Sequence, residues 1–410
     1  MRISTLSIYN NATSQLNTLQ SALARTQNQL STNRRILTPA DDPVASARAL
    51  EVSQSREMNA QFATNRTSAR STLGTVENAL QNAGNLLQDI QQLTVNAGSG
   101  SMLPQDREAL AIELEGRLED LLGVANTTDG AGGFLFSGYM STTQPFTRTP
   151  DGAAYQGDQG QRQLQVGASR KIPLSASGTA VFENNRTGNG TFQTQAAPGN
   201  TGAAIISSGS VTDRALANAG RDYKLSFTVS GTPAVTTYSV VDTTTAGTEV
   251  PVPGQTAIAY EPGKTISFGG LSFDIKGVPA DGDVFTAKPS EKQSVFATVT
   301  DLIAALRAPA DGSSGKAALT NSLNTALDNL KSAHDNVLTV QASVGAHMKE
   351  LDYLDSAGDD LDIQYAATLG DLQDLDMVKA ISEFSIQQTT LQAAQMSFKT
   401  MSGLSLFNYL

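Results

Sequence analysis

The chain of 410 residues has no cysteine, no tryptophan and only two histidines. Without cysteine there is no disulfide, no thiolate nucleophile and no cysteine-ligated metal. No run of about eighteen apolar residues occurs, which excludes a membrane-spanning helix. The start, Met1-Arg-Ile-Ser-Thr-Leu-Ser-Ile-Tyr-Asn10, turns polar before an apolar core of signal-peptide length forms, so no cleaved signal peptide is expected. Charge is scarce: Asp, Glu, Lys and Arg make up 16% of the chain, against about a quarter in typical globular domains. The balance is 28 basic and 39 acidic side chains, a net charge of −11. No basic face is available to neutralise phosphates, so neither nucleic acid nor membrane is expected as a partner.

The missing charge is replaced by amides and hydroxyls, and most of all at the two ends. Of residues 1 to 35, nineteen are Ser, Thr, Asn or Gln, and between Tyr9 and Asn33 the only charged side chain is Arg25. From Phe384 to Leu410 the only charge is Lys399. Two ends with the same unusual composition imply one shared environment.

Both ends also carry helical periodicity. Leu16, Leu19, Leu23, Thr26 and Leu30 are spaced 3, 4, 3, 4, an a/d heptad stripe. The stripe stops at Arg34-Arg-Ile-Leu-Thr-Pro39. A sharp helix start follows, with Asp42 placed to cap free backbone N–H groups and Pro43 at the first helical position. Capping explains the Asp41-Asp42 pair together with the following proline, which acid–base chemistry does not. Phe62, Ala69, Val76, Ala83, Ile90 and Ala97 then recur every seven residues, with Leu73, Leu80 and Leu87 on a second seam. A helix from Val44 to Ala97 would be roughly 80 Å long at 1.5 Å per residue. A third helix is expected from about Gln105 to Asn126. Near the other end, Leu323, Leu330, Val337, Val344 and Leu351 form one seam, and Leu319, Ala326, Ala333, Val340, His347 and Leu354 the other. A last helix carries Met377, Ala380, Phe384, Leu391, Ala394, Phe398 and Met401.

The middle reads differently. Phe134–Tyr139, Gln161–Val166, Tyr223–Val229, Thr236–Val240, Thr265–Phe268 and Leu271–Ile275 read as strands, the last two joined by the hairpin signal Gly269-Gly270. Residues 186–210, rich in Gly, Asn, Thr and Ala, read as a loop or linker. The expected class is α+β: a long coiled-coil helical rod built from both chain ends, with an inserted β domain. The expected division is 1–43 and 377–410 as terminal assembly helices, disordered before assembly; 44–185 and 291–376 as the helical rod; and 186–290 as an outward-facing β domain.

No constellation for catalysis, cofactor or metal emerges. His334 is offset from the seam and expected to be exposed, and His347 belongs to the seam. The zinc motif His-Glu-x-x-His and the nucleophile elbow Gly-x-Ser-x-Gly are absent. Asp355-Ser-Ala-Gly-Asp-Asp-Leu-Asp362 lacks the ligand spacing of an EF-hand and reads as a solvated acidic loop. An apolar stripe on an almost uncharged helix instead marks an interaction surface. An amide-and-hydroxyl flank can be buried between subunits far more cheaply than charge.

Several segments resemble the flagellin superfamily and, within it, the hook-associated proteins of the hook–filament junction. These are the start Met1–Thr5, Leu30-Ser-Thr-Asn-Arg-Arg-Ile36, Pro39-Ala-Asp-Asp-Pro-Val-Ala45, Ala125–Gly130 through Phe134–Tyr139, Tyr155-Gln-Gly-Asp158, Gly277–Phe285, Leu369–Asp376 and the ending Leu404-Ser-Leu-Phe-Asn-Tyr-Leu410. Asn33 stands where the family usually has glycine; asparagine also tolerates the left-handed conformation. The resemblance implies a non-enzymatic structural adapter, exported through the flagellar type III apparatus and placed outside the cell. It implies a first hook-associated protein on one side, flagellin on the other, a ring of self-copies, and an export chaperone at the C-terminal helix. The assembly interface is expected at Leu16, Leu19, Leu23, Leu30, Phe384, Leu391, Phe398, Met401 and Leu404. The alternatives are a filament flagellin, distinguished by its chain ending, and a glycan-binding surface adhesin, which 6% aromatic content disfavours. A flagellin-associated metalloprotease lacks its zinc motif here.

Overall fold

The computed structural model describes residues 5–403, apart from residues 100, 101, 131 and 218. Helices run over α1 (Thr5–Thr32), α2 (Pro43–Ala97), α3 (Pro104–Ala125), the single turn α4 (Arg214–Ala217), α5 (Val295–Arg307), α6 (Gly312–Gln373) and α7 (Met377–Gly403). The chain divides into two compact units, residues 1–66 with 352–410 and residues 67–351. Both divisions fall inside the long helices α2 and α6.

In the unit of residues 1–66 and 352–410, the acidic stretch after Leu351 is helix, which corrects the loop expected at residues 355–362. Its carboxylates face arginines one element away. Arg56 makes two bonds to Asp362, at 2.8 and 3.2 Å, and the buried Arg66 pairs with Asp355. Asn59 donates to the Gly358 carbonyl at 2.7 Å. Heptad leucines thin out here, and charge pairs take over the pairing of α2 with α6. An acidic run is legible as composition; its arginine partners lie some 300 residues away in sequence.

In the unit of residues 67–351, the two seams are packed. Leu73, Val76, Leu80, Leu87 and Ile90 on α2 are buried, as are Leu323, Leu330, Val337 and Val344 on α6. His334 is half-buried rather than exposed. Its Nε2 lies 3.2 Å from Gln88 Nε2, and its ring packs beside Gly84. Helix α5 is amphipathic: Val295, Phe296, Val299, Leu302, Ile303 and Leu306 recur at helical spacing on its buried face, and Asp301 and Arg307 lie on the exposed one. It packs on α3, and Arg307 clamps it there with two-pronged contacts to Glu108 and Glu115.

Phe134–Tyr139 is a series of bends, not a strand. Phe136 is a plug in an aromatic cluster, with its ring 5.4 Å from Phe182, and Phe146 and Phe296 close by. Asp158 fixes the turn by accepting the Tyr139, Met140 and Gly160 N–H groups. The Tyr155 hydroxyl donates to the Asp158 carbonyl at 2.6 Å. The segment Tyr155–Asp158 thus holds this turn from outside. Two hairpins border it: β1 (Phe146–Thr149) with β2 (Gly152–Tyr155), and β3 (Gln163–Gly167) with β4 (Arg170–Pro173).

The inserted domain begins after β5 (Asn185–Arg186) with β6 (Phe192–Ala196), β7 (Ile205–Ile206) and β8 (Ser210–Val211). It continues with β9 (Tyr223–Ser230), β10 (Val235–Asp242), β11 (Val250–Pro251), β12 (Ile258–Ala259), β13 (Thr265–Phe268), β14 (Leu271–Lys276) and β15 (Val284–Pro289). β16 (Lys292–Gln293) returns to pair with β5. One antiparallel sheet has the order β11-β10-β9-β15-β6, with β12 also on β10; a second has β13-β14-β7, with β8 also on β14. Alternate residues from both sheets, including Phe192, Leu225, Phe227, Phe268, Phe273 and Phe285, share one core. The hairpin at Gly269-Gly270 has φ of 56° and 80°, the backbone a two-residue I′ turn requires.

Residues 186–210 are therefore not a linker. They supply the edge strand β6 and two further short strands. The crossing is fixed by the buried carboxylate of Asp283, which accepts N–H groups from Thr201, Gly202 and Ala280. A Gly- and Asn-rich stretch read as loose because its order comes from a residue about eighty positions away.

The domain is pinned to α6 by an asparagine ladder. Asn321 accepts from Ile206 N at 3.0 Å and donates to the Ala204 carbonyl. Asn329 accepts from Gly188 N at 2.8 Å and donates to Gln293 Oε1. Asn336 donates to the Ala180 and Val181 carbonyls. Spacings of eight and seven place all three on one helix face. Removing one leaves a buried backbone group without a partner. Asn329→Ala is expected to cost about 1–3 kcal/mol in equilibrium urea unfolding, whereas the exposed Thr339→Ala should stay within about 0.5 kcal/mol. Equal, small losses for both would contradict the pinning role.

Candidate assembly interface

Helix α1 has no partner nearby in sequence; α7, from the far end of the chain, covers its stripe. Leu16, Leu19, Leu23 and Leu30 are half-buried, and Thr26, at a stripe position, is buried. On α7, Ala380 is buried and Phe384, Leu391, Ala394 and Phe398 are half-buried. The rings of Tyr9 and Phe398 stand 5.3 Å apart. At the centre Thr26 Oγ1 donates to Gln387 Oε1 at 2.9 Å. A polar pair inside an apolar seam fixes register, because any slip would bury both groups unpaired. The stripe that an isolated α1 would expose is thus covered within the chain. Met401, which continues the same spacing, is 45% exposed. Leu404, like the rest of the ending Leu404–Leu410 and the start Met1–Ser4, lies outside the described residues.

Pairing uses only one side of α7. Val378, Met396, Ile386 and Ile381 are exposed on its other faces, Val378 by 82% and Met396 by 70%. Between them stand hydroxyls whose donors are already used. Thr389, Thr390 and Thr400 each donate to the carbonyl four residues back, and on α1 Thr13, Thr18 and Ser21 do the same. Such a surface can be buried without orphaning those donors.

The two helix breaks lie side by side. The α1–α2 link turns at Asn33, whose φ of 53° is left-handed. It meets the α6–α7 break through an isolated bridge between Arg34 and Asp374. Arg35 N donates to the Gln373 carbonyl at 2.8 Å, and Leu375 N to the Asn33 carbonyl. The Arg35 side chain reaches the Leu372 carbonyl at 2.8 Å and the Asp42 carboxylate at 3.3 Å. Asp42 caps α2 through Ala45 N, with Pro43 as its first residue, and Asp376 caps α7 through Lys379 N. Asp41 accepts from Leu37 N and Thr38 N and pairs with Arg25 at 2.8 Å. The sequence shows the Asp42 cap but not the Asp376 cap or the cross-bridge, whose signal is Arg34-Arg35 interrupting an otherwise uncharged stretch. Among the described residues, no group of three or more His, Cys, Asp or Glu could hold a metal ion, and no helix is long and apolar enough to cross a membrane.

Paired helices from both chain ends around an inserted β domain define a flagellin-type protein. Residues 3–141 match the family described as the bacterial flagellin N-terminal helical region. Over 408 residues the chain is 28% identical to flagellar hook-associated protein 3 of Escherichia coli, covering 99% of each. It is 33% identical to the crystal structure of the flagellar junction protein FlgL from Legionella pneumophila, with a TM-score of 0.72 over 80% of this chain and 100% of that one. Xanthomonas campestris FlgL superposes with a TM-score of 0.68 at 29% identity, over 78% of this chain and 99% of that one. The chain belongs to the flagellar hook-associated protein 3 family, and it is a structural junction protein of the bacterial flagellum. The filament-flagellin reading is the weaker one.

The joint makes a pH prediction. Backbone N–H bonds, from Thr38 first for Asp41 and from Ala45 for Asp42, hold both carboxyls below the ordinary aspartate range, aided by Arg25 and Arg35. Depressed values mean that their contribution to folding is present above about pH 4, the ordinary aspartate value, and lost as pH falls through the folded values. In a carboxyl-carbon NMR titration both should titrate below about 3.9. Arg35→Gln should raise Asp42 and leave Asp41 in place. Ordinary midpoints at both positions would contradict the described joint.

Proposed function

We propose that the protein is the adapter between hook and filament, with a first hook-associated protein on one side and flagellin on the other. It has no catalytic role. It leaves the cell through the flagellar export apparatus, held beforehand by a cytoplasmic chaperone on α7, and it assembles outside the cell as a ring of self-copies. The terminal pair α1/α7, which orders fully on assembly, forms the inner layer; α2 and α6 form the rod; the β domain of residues 186–290 faces outward. Leu16, Leu19, Leu23, Leu30, Phe384, Leu391 and Phe398 build the pair, and neighbours cover Met401 and the rest of the exposed surface.

The observation that carries this reading is α7, which is apolar on faces that a single chain leaves uncovered. A helix that is apolar on more than one side belongs inside a larger packing. Immuno-electron microscopy of intact flagella, with antibody against residues 150–290, tests it. A narrow band where hook meets filament is expected. Label along the whole filament would make this a filament subunit, and label elsewhere on the cell would remove the adapter role.

A further inference from the structure

A small cavity lies in the unit of residues 67–351, between α2, α6 and the stretch following β4. Its volume is about 240 Å³. Leu73, Val76 and Val344 give it an apolar floor, and each is buried. Ser175 also lines it. That residue is only 6% exposed, and its Oγ is buried with no hydrogen-bond partner. Nearly every other buried hydroxyl around it is satisfied within the fold, and a hydroxyl shielded from water without a partner loses hydration for nothing in return. Gln161 and Ser343, both exposed, stand on the cavity's solvent side.

The lining contains no Asp, Glu, Lys or Arg. His347 is its one ionisable side chain, and it faces Glu350, which is itself paired with Arg170. A charged ligand would therefore find no opposite charge left over. An apolar protein cavity of about 150 Å³ takes benzene, so this one has room for a ring with a substituent. We infer that the cavity beside Ser175 is a binding site for a small neutral molecule, an apolar ring or short chain bearing one hydroxyl or carbonyl, with the Ser175 hydroxyl as its hydrogen-bonding anchor.

The test uses the full chain with methyl-labelled Leu and Val, titrated with benzyl alcohol and with toluene. Saturable shifts confined to the Leu73, Val76 and Val344 methyls are expected. Benzyl alcohol should bind about three- to tenfold more tightly than toluene, the worth of one neutral hydrogen bond, and Ser175→Ala should erase that preference. Ser343→Trp, made on the exposed side of α6, should block both ligands while leaving the fold intact. Shifts that grow linearly without saturation would overturn the site, as would shifts spread over the molecule. A preference for benzyl alcohol that survives Ser175→Ala would overturn the anchor.

Discussion

A seven-residue apolar repeat cannot be satisfied by the helix that carries it. Everything in this molecule follows from how its repeats find partners. Helix α1 is covered by α7, and the start of α2 meets the end of α6, so the first and last parts of the chain fold together. Whatever lies between must leave and return at one place. The β domain does so, entering after β5 and returning through β16, which pair with each other. The asparagine ladder on α6 then fixes the domain's base.

The partners change character along the chain. Leucine and valine seams dominate where α2 and α6 are fully buried. Arginine–aspartate pairs take over at Arg56 and Arg66. The terminal pair uses half-buried leucines, phenylalanines and one hydroxyl–amide bond. This last arrangement almost excludes charge. Its hydroxyls are bonded to their own helices, and its second apolar face is uncovered in the single chain. Such a surface suits burial among identical neighbours, where a row of like charges would repel.

How much of this was legible depends on the range of the interaction. Heptads are local, and they predicted α2 to within one residue of Pro43–Ala97. Period-two alternation located β9, β10, β13 and β14, and Gly269-Gly270 located their hairpin. The errors fall where distant partners decide. Asp355 and Asp362 read as solvated because their arginines sit on another helix. Residues 186–210 read as a linker because Asp283 and Asn321 order them from far away. Phe136 read as a strand residue because its ring partner Phe182, which also packs on Phe146 and Phe296, meets it only in three dimensions. Of the candidate interface, the leucines and phenylalanines were visible as periodicity. The Thr26–Gln387 bond and the Arg35 cross-bridge were not, since neither pairing has a local pattern.

One face of α7 packs on α1, and the proposed assembly covers the exposed one. A chain without native cysteine allows a direct test by single thiol labelling. In the free chain, Met396→Cys should react quickly with a maleimide and Leu391→Cys slowly. In assembled flagella both should be protected. A cysteine at 396 that reacts as fast in the flagellum as in the free chain would contradict the claim.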